Sequence, residues 1–242
     1  MLAGVKPSYL KILNVCDFEI RRIYACEQRW WAFCFVYCSN GRISDCEFCS
    51  NDRGIDGDGN TYRGLKRGCY KEACVKNSDG IDLRVGCHDI VIENISGFTE
   101  DDTIALTALS WHLERESAVE GHPTDIYNVE IRNVSSSAYC ANVRLLNQGE
   151  HKIHDIYIEG VYDTSKDSPH MDVGSCAVRI GDSTHMYGSR ISTADETYNI
   201  TVRKVRSRAL HTLSLHGAIA NLKIEDVESF DGGGDVEDLR TN

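Results

Sequence analysis

The sequence is short of proline, of basic charge and of long apolar runs. Three prolines in 242 residues are too few for a proline-rich linker. No apolar run approaches the roughly 20 residues of a membrane helix, so no membrane partner is expected. The start, Met1 to Asn14, lacks a basic region, an apolar core of signal length and a small-residue cleavage site. The protein as given is therefore expected in the cytoplasm, or outside the cell if it is a fragment of a longer chain. Lys and Arg number 26 against 37 Asp and Glu, a net charge of -11. Such a chain repels phosphate backbones, which argues against nucleic acid. It also repels acidic sugar polymers on average, so a site for one needs its own local arginines. What is present is the composition of a globular protein, 41% hydrophobic and 26% charged. Eleven cysteines are many, and odd in number. Without a signal peptide, reduced and buried thiols are the expectation.

A repeat runs along the chain. Apolar residues three apart recur as Ile20 and Ile23, Ile92 and Ile95, Ile131 and Val134, Ile158 and Val161, Val202 and Val205, and Ile224 and Val227, with Ile43 and Cys46 a weaker copy. Three positions before each copy stands Asp17, Asn40, Asp89, Asn128, Asp155, Asn199 or Asn221. Each copy but the last has a companion apolar-x-apolar strand, such as Phe33-Cys34-Phe35, Ile81-Asp82-Leu83 or Ile104-Ala105-Leu106. The closest copies are 22–23 residues apart. Strands this short cannot bury an apolar face alone, but stacked coils build one continuous core. No sustained helical stripe and no leucine-rich signature competes. The pattern predicts an all-β chain, a parallel β-helix of about six or seven coils, as one domain over residues 1–242. Polar insertions fall at 50–72, 110–124, 163–174 and 183–195, and the tail from Asp231 reads as a loop. Solenoids need capped ends, so Met1–Asn14, a second copy of the chain or missing N-terminal coils would cover the first repeat.

Two segments resemble motifs of glycoside hydrolase family 28, the polygalacturonase relatives. Asn77-Ser78-Asp79-Gly80 is similar to the family's Asn-Thr-Asp-Gly, and Glu100-Asp101-Asp102-Thr103-Ile104-Ala105 to its Gly-Asp-Asp-x-Ile-Ala. They occur in the family's order, one coil apart. The resemblance implies a right-handed parallel β-helix and an inverting hydrolase of a uronic-acid-containing or related glycan. It implies Asp101 as general acid, Asp79 and Asp102 as holders of the attacking water, and no cofactor. Aligning the companion strands independently puts Asp79 and Asp102 on adjacent coils, about 4.8 Å apart. Clustered carboxyls repel, so at least one should keep its proton near neutral pH. The bland reading is that each aspartate caps a turn.

The chain departs from the family in two places. Tyr139-Cys140-Ala141 replaces Gly-His-Gly, and Arg179-Ile180-Gly181 lacks the lysine of Arg-Ile-Lys. Substrate contacts are expected from Asn77, Arg179, Arg144 one coil earlier, and His112 in place of the lost histidine, with His122 a second option; solvated loop positions are the plainer reading of both histidines. The two arginines could clamp a carboxylate or sulfate, stay solvated, or pair with Asp82. Trp111 is a candidate cleft wall, while Trp30 and Trp31 could stack on sugar but, beside Phe33 and Phe35, read more readily as packed core. No metal is expected. Cys34, Cys38, Cys46 and Cys49 are close in sequence, yet they read as a ladder of buried thiols rather than zinc ligands. Asp56-Gly57-Asp58-Gly59-Asn60 opens like a calcium loop but lacks the later Gly and Glu. Two other functions fit the same residues. One is a calcium-dependent polysaccharide lyase with Arg144 or Arg179 as base. The other is a β-helix that binds carbohydrate or supports assembly without catalysis.

Overall fold

The computed structural model describes residues 10–28, 30–52 and 78–241. The chain runs through β1 (Leu10–Leu13), β2 (Cys16–Arg21), β3 (Tyr24–Cys26), β4 (Phe33–Val36), β5 (Ser39–Cys49), β6 (Ile81–Leu83), β7 (His88–Thr99) and β8 (Ile104–Thr107). A short helix α1 (His112–Glu116) follows, then β9 (Ile126–Ala138), β10 (Ala141–Leu146) and β11 (Ile153–Asp163). A 3-10 turn at Ser165–Asp167 leads to β12 (Cys176–Ile180), β13 (Thr197–Ser207), β14 (His211–Gly217), β15 (Ala220–Ser229) and β16 (Glu237–Arg240). The fold is all-β, with two sheets of eight strands. One sheet has the order β1-β4-β6-β8-β10-β12-β14-β16 and the other β15-β13-β11-β9-β7-β5-β2, with β3 also on β5. From β4 to β16, strands adjacent in sequence lie in opposite sheets, and the pairings within each sheet are parallel.

The repeat read from the sequence is the register of these sheets. Ile20, Ile43, Ile92, Ile131, Ile158, Val202 and Ile224 face one another rung by rung. In the other sheet Phe35, Leu83, Leu106, Leu145, Ile180 and Leu215 do the same. Both rows are buried in one core except at the outer rungs. Each fully buried Ile or Leu contributes about 1.5–3 kcal/mol. The tail departs from expectation. It is not wholly loop, because Glu237–Arg240 adds β16 beside β14, and β1 adds a strand beside β4. Both are edge strands, so neither needs the apolar alternation that marks the interior ones.

The Asp or Asn before each repeat has a structural cause. All seven adopt left-handed backbone angles, φ between 49° and 57°, a region that Asn and Asp tolerate better than other side chains. A second series, including Asp45, Asn94 and Asn133, bends the same long strands again five residues on. The amides bridge rungs: Asn128 Nδ2 donates to Asp89 at 2.6 Å and Asn199 Nδ2 to Asp155 at 2.9 Å. Beside them His88, Tyr127, His154 and Tyr198 stack with centroids 4.6–5.2 Å apart. Asn128→Ala should cost about 1–3 kcal/mol in urea unfolding, from left-handed strain and the lost bridge. Asn128→Gly should cost less, because glycine recovers the backbone angle.

Candidate active site

The site begins with two residue runs that precede strands. Ser78-Asp79-Gly80 leads into β6 and Glu100-Asp101-Asp102-Thr103 into β8. Ile81 pairs with Ile104, so Asp79 lies opposite Asp102, as the alignment of companion strands predicts. Gly80 is required by a close approach: a Cβ there would come 2.5 Å from the Thr103 carbonyl oxygen. Asp79 Oδ1 accepts the Asp102 N–H at 3.1 Å, and Asp102 Oδ1 accepts the Ala141 N–H at 2.8 Å. These aspartates therefore cap turns and also cluster. An oxygen of Asp101, an oxygen of Asp102 and the Cys140 sulfur lie within 4.8 Å of one another. Cys140 stands where the resemblance expects a histidine, and burial first, then Asp101 and Asp102, pushes its thiol up.

The carboxyls line a cleft of about 290 Å³ together with Asp82, Arg84, Arg144 and Arg179. Burial first, then Asp82, Asp101 and Asp102, pushes Asp79 well above the usual carboxylate range. Asp102 is likewise raised by burial and by Asp101, against the pull of Arg144. Asp82 is raised from 3.8 to about 7 by burial, partly offset by Arg84. Burial and mutual repulsion thus favour the protonated form of these carboxyls.

This has a consequence for stability. Well below pH 4 these groups are protonated both folded and unfolded. As pH rises toward 7 the unfolded chain ionises first, and the folded state loses stability through the folded pKa. Asp82→Asn should therefore melt several degrees above wild type at pH 8 and close to it at pH 4, measured by calorimetry.

Among the described residues Arg84 is the largest fully buried side chain. Its Nε donates to Glu114 Oε1 at 2.6 Å, and its Nη1 lies 3.8 Å from Asp82 Oδ1. Glu114 is brought in by α1 and also accepts the Trp111 N–H at 2.9 Å. The Arg84 guanidinium sits 4.5 Å from the Trp31 ring and 4.6 Å from the Trp111 ring. Trp30, Trp31, Trp111 and Tyr187 give the cleft its aromatic lining. Gln148 fixes Tyr187 and Gly188, accepting both backbone N–H groups at 2.7 Å.

The remaining expectations divide. Arg144 and Arg179 pair in register, but their partner is Asp182 and not Asp82. Arg144 Nη2 reaches Asp182 Oδ1 at 2.5 Å and Arg179 Nη2 reaches it at 3.1 Å. Arg144 is buried, so it is not solvated, while Arg179 is part-exposed. His112 does not join the cleft; its ring is 85% exposed and pairs with Glu116 at 3.3 Å, because α1 turns Glu114 inward and His112 outward. His122 is exposed. Trp31 is packed, as expected, yet it also lines the cleft, as does Trp30. Asn77 and the Asp56–Asn60 turn lie outside the described residues. The four thiols do not assemble: Cys34, Cys46 and Cys49 belong to three separate apolar clusters. None of the nine cysteines among the described residues is in a disulfide. Asp182 and Gln148 carried no signal in the sequence, while Arg84 could have been found from its outward place in Ile81-Asp82-Leu83-Arg84-Val85. Compared with known proteins, the chain matches no protein family, no curated protein and no solved structure.

Proposed function

We propose that the chain is a right-handed parallel β-helix carrying a glycoside hydrolase site for a uronic-acid-containing glycan. The hand follows from the strong preference of parallel crossovers. The observation that carries the function is the convergence of Asp79, Asp101 and Asp102 on one cleft with an aromatic lining. Glycoside hydrolysis needs one carboxylic acid to protonate the leaving oxygen and one carboxylate to activate water or attack. Asp101 is the acid in this reading, with Asp79 and Asp102 on the water. The two arginines share a single aspartate, Asp182. That leaves net positive charge beside Arg179 for a substrate carboxylate. Beneath the cleft, Asp82 Oδ2 and Arg84 Nη2 are buried without a hydrogen-bond partner among the described residues.

Inverting enzymes separate their carboxyl groups by roughly 6.5–9.5 Å. Asp101 and Asp102 approach more closely than that, within 4.8 Å between oxygens. Inversion therefore leaves Asp79 as the base, and because burial and its acidic neighbours hold its proton on, cleavage should rise with pH as Asp79 ionises. One observation favours a second reading, a carbohydrate-binding β-helix without catalysis: Asp79 and Asp102 each already accept a backbone N–H from the next rung. The test is a screen of acidic oligosaccharides for new reducing ends, with the product anomer read by NMR. Cleavage with an inverted product supports the proposal. Binding with no cleavage of any glycan supports the second reading. An unsaturated, ultraviolet-absorbing product lost to chelator would replace both with a lyase.

A further inference from the structure

A second cleft, of about 320 Å³, shares no lining residue with the first. At its wall Cys49 ends β5, Asp52 follows it across a turn, and His170 comes from the segment after the 3-10 turn. Cys49 Sγ lies 3.8 Å from Asp52 Oδ1 and 3.8 Å from His170 Nε2. All three donor atoms fall within 4.8 Å of one another. The His170 ring is held in place by stacking on Phe98, centroids 4.9 Å apart and 14° between planes. The His170 N–H is anchored on Ser168 Oγ at 3.2 Å.

Cys49 can donate its one hydrogen to Asp52 while its sulfur faces His170 Nε2. A cation at the centre of the three atoms would bind all of them at once. Zinc bonds of about 2.3 Å to sulfur and 2.0–2.1 Å to nitrogen, at a tetrahedral angle, set sulfur and nitrogen roughly 3.6 Å apart. The observed spacing is close to that. The donor set also fits: one soft sulfur, one imidazole and one carboxylate, brought from two segments more than a hundred residues apart. Three protein ligands leave a fourth tetrahedral position, and Asp52 is exposed, so that position opens toward the cleft.

We propose that Cys49, Asp52 and His170 form a binding site for a zinc-class divalent cation, with its fourth position open to solvent or a ligand. The site is independent of the glycan cleft. The full chain, stripped by chelator and desalted, would be titrated with Co(II) alone and then with Zn(II) in competition. The expected result is a single equivalent of Co(II) with a thiolate charge-transfer band in the near ultraviolet, bleached by Zn(II). Cys49→Ser should abolish the band. His170→Asn and Asp52→Asn should each weaken binding by about tenfold or more. Zn(II) should raise the melting temperature of wild type most, of His170→Asn and Asp52→Asn less, and of Cys49→Ser least. Metal-free melting temperatures check that the variants fold, and His170→Asn, on an irregular segment, keeps the test valid if Cys49→Ser does not. A band that survives in Cys49→Ser, or wild-type affinity in His170→Asn, would assign the metal to other thiols and overturn the proposal.

Discussion

An Asp101→Asn protein is expected to release reducing ends about 10²–10⁴-fold more slowly than wild type, the range a positioned general acid supplies. Asparagine keeps the size of the side chain and its acceptor oxygen but holds no transferable proton. Its neighbours stay in register through backbone contacts the substitution does not touch, such as the Cys140 N–H on the Asp101 carbonyl at 3.2 Å. Removing one of several crowded acids also relieves repulsion, so the variant should melt no lower than wild type. Substrate affinity should change little, because the arginines and the aromatic lining remain. Asp79→Asn and Asp102→Asn should each lose activity as well. The losses should not add in combination, since the residues act as one unit. A leaving group that needs no protonation, such as an activated aryl glycoside, should restore much of the Asp101→Asn rate and little of the Asp79→Asn rate. Equal rates for wild type and Asp101→Asn would remove the acid–base mechanism outright.

The parts of this molecule that were legible in the sequence are those repeated by it. Ile43, Ile92, Ile131 and Ile158 recur because every interior rung must fill the same slot in the core. Asn40, Asp89 and Asn128 recur because every rung bends at the same left-handed angle. Once the companion strands were aligned, the meeting of Asp79 with Asp102 followed from stacking alone. The unrepeated contacts were not legible. Arg84 and Glu114 are 30 residues apart, and α1 lies in an insertion that follows no period. Arg144 and Arg179 were found as a pair, but Asp182 enters through a turn after β12. His112 was placed by analogy with a lost histidine, whereas the group that touches Asp101 is Cys140, on the next rung. His170 reaches Cys49 across 121 residues, through a segment no pattern marks. β1 and β16 were missed for a related reason: an outer strand with one neighbour does not have to repeat the core pattern.

Arg84→Ala should cost about 3–5 kcal/mol, the penalty for breaking a buried ion pair by removing one partner. The side chain is 1% exposed, as is Glu114, which would be left without its cation. Asp82, at 3.8 Å, would lose the neighbour that pulls its pKa down most. Two rings would lose their shared cation as well, at about 0.5–2 kcal/mol each where the site is desolvated. Lysine should not rescue, because its single ammonium cannot meet Glu114 and lie over Trp31 and Trp111 together. Arg84→Met with Glu114→Gln should recover most of the stability, since neither leaves a buried charge alone, although Asp82 then stays protonated to a higher pH. The same double variant separates stability from function. With Trp31 and Trp111 no longer held around a cation, glycan affinity should fall even where the melting temperature is restored. If affinity followed melting temperature, Arg84 would be a core residue that happens to border the cleft; if affinity falls alone, the arginine sets the aromatic lining against which the sugar packs.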